Sequence, residues 1–169
     1  RTSVDIDWDY QLAGETALQK TGTALPQSVL DSIIRNGVAL KGPVATPIGE
    51  GFRSVNVELR KRLDLYANIR PILSIPGIKT RYEDVDLIVI RENTEDLYAV
   101  GSQGINVTPE LAIDFRVITS PGSERIIEAA FAHAKRTGKT RVTVVTKANV
   151  VKTTDGKFLD TARKIGERY

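Results

Sequence analysis

The chain alternates between short runs with two-residue apolar spacing and longer runs spaced by three or four. Residues 4–10, VDIDWDY, interleave apolar and acidic side chains, which predicts a strand with one wet face. Residues 13–20, AGETALQK, predict a short helix ended by Thr21 and Gly22. Pro26 stands where a helix accepts proline, in its first turn. The run PQSVLDSIIRN behind it places Val29, Ile33 and Ile34 on one face, and Asn36-Gly37 ends it. Residues 37–42, GVALKG, read as a short buried strand. From 43 to 53, two prolines and two glycines block regular structure. A helix then runs from Ser54 to about Leu65, with Val55, Leu59 and Leu63 as its apolar stripe.

The second half repeats the alternation. YANIRPIL and VDLIVI predict strands, separated by the Pro/Gly punctuation of SIPGIKTRYED. Residues 99–111 are glycine-rich and weakly patterned, a turn or excursion, and IDFRVIT predicts another strand. SPGSERIIEAAFAHAKRTGK carries helix signals throughout. Ser120 or Ser123 is available as cap, Ile127, Ala130, Phe131 and Ala134 share a face, and Gly138 is the stop. RVTVVTK predicts a strand and residues 154–169 a final helix. Short strands alternating with helices give an α/β fold class.

Composition narrows the function. A chain of 169 residues can bury a real core, and its apolar fraction is that of a globular protein. The net charge of +3 is small and the signs are interleaved, so nucleic-acid binding has little support. No apolar run is long enough for a membrane span. Without cysteine there is no disulfide, thiolate ligand or cysteine nucleophile, which fits a cytoplasmic protein. There is no methionine and the first residue is Arg1, so a trimmed or partial chain is expected.

The candidate chemistry is cationic. In open α/β sheets ligands bind beyond the carboxyl ends of strands, and two predicted strands end in a cation, at Arg91 and Lys147. As parallel neighbours they would aim both into one crevice; solvated strand ends are the bland alternative. Asn56 and Arg60 are one helical turn apart, opposite the Val55/Leu59/Leu63 stripe, and Ser54 lies at the N-terminus that favours anions. A plain N-cap serine and an exposed arginine are the alternative there. Arg70 interrupts an apolar strand, where a charge needs a partner. Guanidinium groups pair bidentately with carboxylates, so Arg60, Arg70 and Arg91 together suit a polycarboxylate. Tyr98 and Lys147 are candidate proton carriers, since a cationic pocket lowers the pKa of both. The lone His133 reads as structural or solvated.

The runs LKGPVATPIGEGFRSVNVELRKRLDLYANIRP, VDLIVIRENTEDLY and VTVVTKANV resemble the isocitrate dehydrogenase branch of the β-decarboxylating dehydrogenases. Relatives acting on isopropylmalate usually lack the Ser-x-Asn pair seen here as Ser54 and Asn56. The resemblance implies an isocitrate/isopropylmalate dehydrogenase-like fold, incomplete. Residues 1–65 would be part of the large cofactor domain, 66–98 and 112–169 the small domain, and 99–111 a connecting excursion and candidate dimer clasp. It assigns Ser54, Asn56, Arg60, Arg70 and Arg91 to the substrate's carboxylates. Tyr98 becomes the acid that protonates the enol carbon, and Lys147 the catalytic lysine, which in this family reaches the partner subunit's site. Thr46 and Asn149 would lie near the nicotinamide.

The implied reaction is oxidative decarboxylation of isocitrate with NAD or NADP, aided by Mg²⁺ or Mn²⁺ whose aspartate ligands this chain lacks. The implied assembly is a homodimer or larger oligomer, and the compartment the cytoplasm, or the mitochondrial matrix in a eukaryote. As roughly the middle half of such an enzyme, the chain is expected to be inactive alone, and to aggregate or dimerise through exposed sheet edges. The alternatives are a regulatory subunit that keeps the carboxylate site, or an enzyme acting on homoisocitrate or isopropylmalate.

Overall fold

The longer helices form where the apolar spacing places them, and glycine ends four of the described helices. A computed structural model describes residues 3–47, 51–101 and 103–169, and the chain divides into two compact units, Arg1–Asp64 and Leu65–Tyr169.

The first unit holds α1 (Glu15–Thr21), α2 (Gln27–Asn36) and α3 (Val55–Arg62). Gly22 closes α1 at φ 75° and Gly37 closes α2 at φ 69°, a left-handed conformation that costs glycine nothing. Ala24, Leu30, Val55 and Leu59 form the buried core, with Ile33, Val44, Phe52 and Leu63 packed around it. The stripe of α2 is therefore Val29, Leu30 and Ile33. Ile34, expected inside, is 67% exposed because it sits a further step around the helix.

Residues 4–10 and 37–42 do not form the expected strands. Val38 and Leu40 are 77% and 83% exposed, so the second run is not buried either. Alternation marks a surface suited to a sheet, but a strand also needs a ladder partner, and among the described residues of this unit none is present. The first run is held instead by Asp9, whose carboxylate accepts from Ser32 Oγ and Arg35 Nη2 of α2, each at 2.6 Å.

The second unit begins with β1 (Ala67–Leu73) and β2 (Asp86–Glu92), an antiparallel pair in unbroken register from Ala67–Glu92 to Leu73–Asp86. α4 (Leu97–Val100) follows, then a hairpin of β3 (Ile105–Thr108) and β4 (Leu111–Ile113) with a register shift between Asn106 and Thr108. α5 (Ser120–Thr137) and α6 (Thr154–Gly166) supply the core. Ile126, Ile127, Ala162 and Ile165 are buried, and Tyr66, Ala67, Ile90, Phe131, Val144 and Phe158 pack on them. Thr119, not either expected serine, caps α5: its Oγ1 accepts the Gly122 N–H at 3.0 Å.

Two further strand expectations fail. Of residues 113–119 only the first belongs to a strand, and Val117 makes an isolated bridge to Asp96. Residues 141–147 have no ladder partner among the described residues. The partner of β2 is β1, and it is antiparallel. No helix among the described residues is long and apolar enough to cross a membrane.

Candidate active site

In the first unit the candidates gather on α3. Ser54 caps the helix, its Oγ accepting the Val57 N–H at 3.5 Å. Asn56 lies in the first turn and Arg60 in the last, both half-buried, while Val55 and Leu59 go into the core. The buried Oδ1 of Asn56 has no hydrogen-bond partner. An unmet buried acceptor costs about 1–3 kcal/mol, which a donor from a ligand would offset. Thr46 is exposed on the irregular run before residues 48–50, which lie outside the described residues, as does Ser102 in the second unit.

In the second unit the strand register sorts the arginines. Asn68 is opposite Arg91 and Arg70 opposite Val89, so Asn68, Arg70 and Arg91 share one face of the β1/β2 pair. The other face carries Ala67 and Ile90 onto α5 and α6. Arg70 is exposed, and its Nε donates to Asn68 Oδ1 at 3.0 Å. The expectation of a charge trapped in an apolar strand is corrected: the strand's outer face is open, so the guanidinium stays solvated. The Arg91 guanidinium lies 5.6 Å from the centre of the Tyr98 ring, and its Nη2 is 3.5 Å from the phenol oxygen. Asn68 belongs with this group, and only the cross-strand register shows it.

Between Arg91 and Tyr98 the acids of the turn are all engaged. Glu92 accepts the backbone N–H groups of Thr94 and Glu95 and, at 2.6 Å, the Thr94 hydroxyl. Glu95 reaches the start of α5 and accepts the Thr119 N–H at 3.0 Å and the Thr119 hydroxyl. A Cβ on Gly122 would collide with that carboxylate, so glycine is required for the approach. Asp96 receives Arg116 bidentately, Nε at 2.5 Å and Nη2 at 2.9 Å. This hydrogen-bonded pairing, with the charge of Arg116, holds the Asp96 carboxyl below the usual carboxylate range and raises the Arg116 guanidinium. The Asp96 backbone has φ 62° and ψ −134°, a conformation that costs a non-glycine residue on the order of 1–3 kcal/mol.

Lys147 is exposed at the end of the unladdered run, and Asn149 is exposed in the turn after it. The Lys147 backbone N–H donates to Asp155 Oδ2 at 2.7 Å, and the Lys147 carbonyl accepts from Val150 and Val151 at 2.9 Å. Asp155 is buried in the first turn of α6 and its Oδ1 accepts Arg116 Nη1 at 2.8 Å. A cavity of about 400 Å³ is lined by Arg91, Tyr98, Arg116, Thr146 and Asp155 among others. β2 and residues 142–146 wall this cavity without pairing as strands, and Lys147 is not among its lining residues, so the expected meeting of Arg91 and Lys147 in one crevice is not found there. Sequence reasoning missed Arg116 and Asp155; their partners lie 20 and 39 residues away, beyond any local pattern.

Among the described residues no three or more carboxylates or histidines converge as a metal site. Asp96 and Asp155 are already committed to Arg116, so these residues do not fit a divalent cation. His133 lies on α5 with its Nδ1 2.7 Å from Arg136 Nη2.

Comparison with known proteins supplies the class. A family model described as isocitrate/isopropylmalate dehydrogenase matches residues 1–169. The mitochondrial NAD isocitrate dehydrogenase catalytic subunit 6 of Arabidopsis thaliana is 46% identical over 168 residues, 98% of this chain and 44% of that protein. The chloroplastic 3-isopropylmalate dehydrogenase of Solanum tuberosum is also 46% identical over 168 residues, 98% of this chain and 46% of that protein. The crystal structure of isocitrate dehydrogenase from Methylococcus capsulatus superposes with a TM-score of 0.92 at 48% identity, covering 98% of this chain and 50% of that one.

The chain belongs to the isocitrate/isopropylmalate dehydrogenase family and has its mixed helix/strand fold. It spans about half the length of the relatives it matches.

Proposed function

We propose that this chain carries substrate-recognition and proton-transfer groups of an NAD-dependent dehydrogenase that oxidatively decarboxylates isocitrate. The observation that carries the reading is the Arg91–Tyr98 pair, a guanidinium set against the face and hydroxyl of one tyrosine. Ser54, Asn56 and Arg60 serve the substrate's carboxylates and hydroxyl, as do Arg70 and Arg91. Hydride leaves C2 for the nicotinamide as the 2-hydroxyl loses its proton. Loss of CO₂ from the resulting ketone leaves an enol, and Tyr98 protonates its carbon. Lys147 manages the proton of the substrate oxygen. Thr46 and Asn149 accompany the nicotinamide. A bound Mg²⁺ or Mn²⁺ would polarise the ketone oxygen, and the described residues hold no cluster of carboxylates to bind one.

Overall identity does not choose the substrate, since an isocitrate and an isopropylmalate enzyme match equally well. Ser54 and Asn56 favour isocitrate: the Ser54 hydroxyl and the Asn56 Nδ2 can donate to a carboxylate arm, and an isopropyl group offers them no acceptor. Isopropylmalate oxidation is the second reading, favoured by the Solanum match. The assembly we propose is a dimer joined in part by the β3/β4 hairpin, whose Ile105, Val107, Leu111 and Ile113 are exposed.

The test is an NADH absorbance assay on the full polypeptide that carries this segment, with isocitrate, isopropylmalate and homoisocitrate compared. Preference for isocitrate supports the reading. Preference for isopropylmalate, or turnover of neither, overturns it.

A further inference from the structure

We propose that Arg116 and Asp155 are positioning residues, which tie the turn bearing Tyr98 to the turn bearing Lys147 through one guanidinium. The inference rests on the proton-transfer roles given to Tyr98 and Lys147 above.

The connection can be followed atom by atom. Two residues before Tyr98, both Asp96 oxygens receive Arg116, through Nε at 2.5 Å and Nη2 at 2.9 Å. The third nitrogen, Nη1, donates to Asp155 Oδ1 at 2.8 Å. The other oxygen of Asp155 accepts the Lys147 backbone N–H at 2.7 Å and the Thr146 hydroxyl at 3.3 Å. Main-chain bonds between Asp96 and Val117, at 2.9 and 3.4 Å, close a ring beside the guanidinium. Four separate stretches of chain are thus joined through the side chains of Arg116 and Asp155.

Arg116 lines the same cavity as Arg91 and Tyr98, so it could be taken for another substrate arginine. Its nitrogens argue otherwise, because all three are engaged by the two aspartates. Asp155 is only 7% exposed, and a carboxylate so placed needs its hydrogen-bond partners. Losing Arg116 would strand it next to the backbone of Lys147. Asp96 sits in a backbone conformation that a non-glycine residue keeps only when its surroundings enforce it, and the Arg116 fork and the Val117 bridge are that enforcement. Lysine could not substitute, since a point charge does not form the fork that spans two carboxylates.

The experiment compares Arg116→Met, Arg116→Lys and Asp155→Asn with Tyr98→Phe and Lys147→Ala in the full polypeptide, well below each variant's melting temperature. A misplacement of about 1 Å at a reacting group costs on the order of 100-fold in rate. Arg116→Met should therefore lower kcat by roughly 10- to 100-fold with KM for isocitrate little changed. Arg116→Lys should fall between Arg116→Met and the parent. Hydrogen exchange should quicken at the Lys147 amide in Asp155→Asn and in Arg116→Met. A residue that merely supports the fold would lower the melting temperature and leave kcat of the folded enzyme intact.

If Arg116→Met and Arg116→Lys both keep full kcat while Tyr98→Phe and Lys147→Ala lose it, the positioning role is wrong and the proton-transfer reading stands. If Tyr98→Phe and Lys147→Ala turn over normally, the reading itself fails and the positioning role falls with it. Should Arg116→Met not fold, Arg116→Lys and the exchange rate at Lys147 in Asp155→Asn decide.

Discussion

The first turn of α3 and the turn at residues 92–98 both carry proposed substrate chemistry, and they are built in opposite ways. In the second, Glu92, Glu95 and Asp96 are each held by donors from this chain, from residues as distant as Arg116 and Thr119. In the first, Ser54 makes a long cap bond and Asn56 leaves a buried oxygen unpaired. A group that must deliver a proton benefits from being fixed before the substrate arrives. A group that recognises a substrate can leave its hydrogen bonds open, so that the right ligand completes them. Asn93 is the exception in the fixed turn: it is buried with an unpaired Oδ1, and nothing in the structure explains it.

The largest effect that would sharpen this contrast is on the fixed side. Tyr98→Phe should lower kcat by about 100- to 10,000-fold, the range of a general acid, with KM for isocitrate held. A loss confined to KM would make Tyr98 a binding residue and break the comparison. Asn56→Ala should do the reverse: KM rises by about tenfold, one hydrogen bond's worth, with kcat nearly intact. Without substrate, that variant should melt no lower than the parent, because it removes an unmet buried acceptor.

Smaller effects test how the fixed turn is anchored. Gly122→Ala should expel Glu95 from its seat at Thr119 and lower stability in urea by about 0.5–2 kcal/mol, the cost of a helix cap. A neutral result would mean that the glutamate relaxes freely. The smallest effect is acid sensitivity. The folded state depresses the pKa of Asp96, chiefly through Arg116, with Arg91 and the Leu97 backbone N–H contributing. The stability it contributes is present above its unfolded value and is lost as pH falls through the lower folded value. Stability followed by circular dichroism below the ordinary carboxylate range should therefore fall less steeply in Asp96→Asn than in the parent.

Much of the fold is written locally. The α3 stripe, the glycine stops of α1, α2 and α5, and the helix at residues 154–166 follow from spacing that a short window contains. Residues 4–10 read as a strand from their alternation and 37–42 and 141–147 from their apolar runs, but a strand is completed by another one, which the spacing of a single run does not contain. The candidate site divides the same way. Ser54 at a helix start and Arg91 at a strand end are visible from their neighbours. Asn68 needs the cross-strand register, and Arg116 and Asp155 need the tertiary fold. Glu92 is satisfied within its own turn, but Glu95 and Asp96 have no local explanation because their partners are Thr119 and Arg116.

The run at residues 141–147, without a ladder partner among the described residues, has a consequence outside catalysis. Val145 within it is 87% exposed. An apolar run without a ladder partner invites pairing with a second copy of itself. Colloidal behaviour should then be governed by that seven-residue stretch more than by net charge. Light scattering should climb with concentration, and Val145→Lys should suppress it while leaving the α5/α6 core untouched.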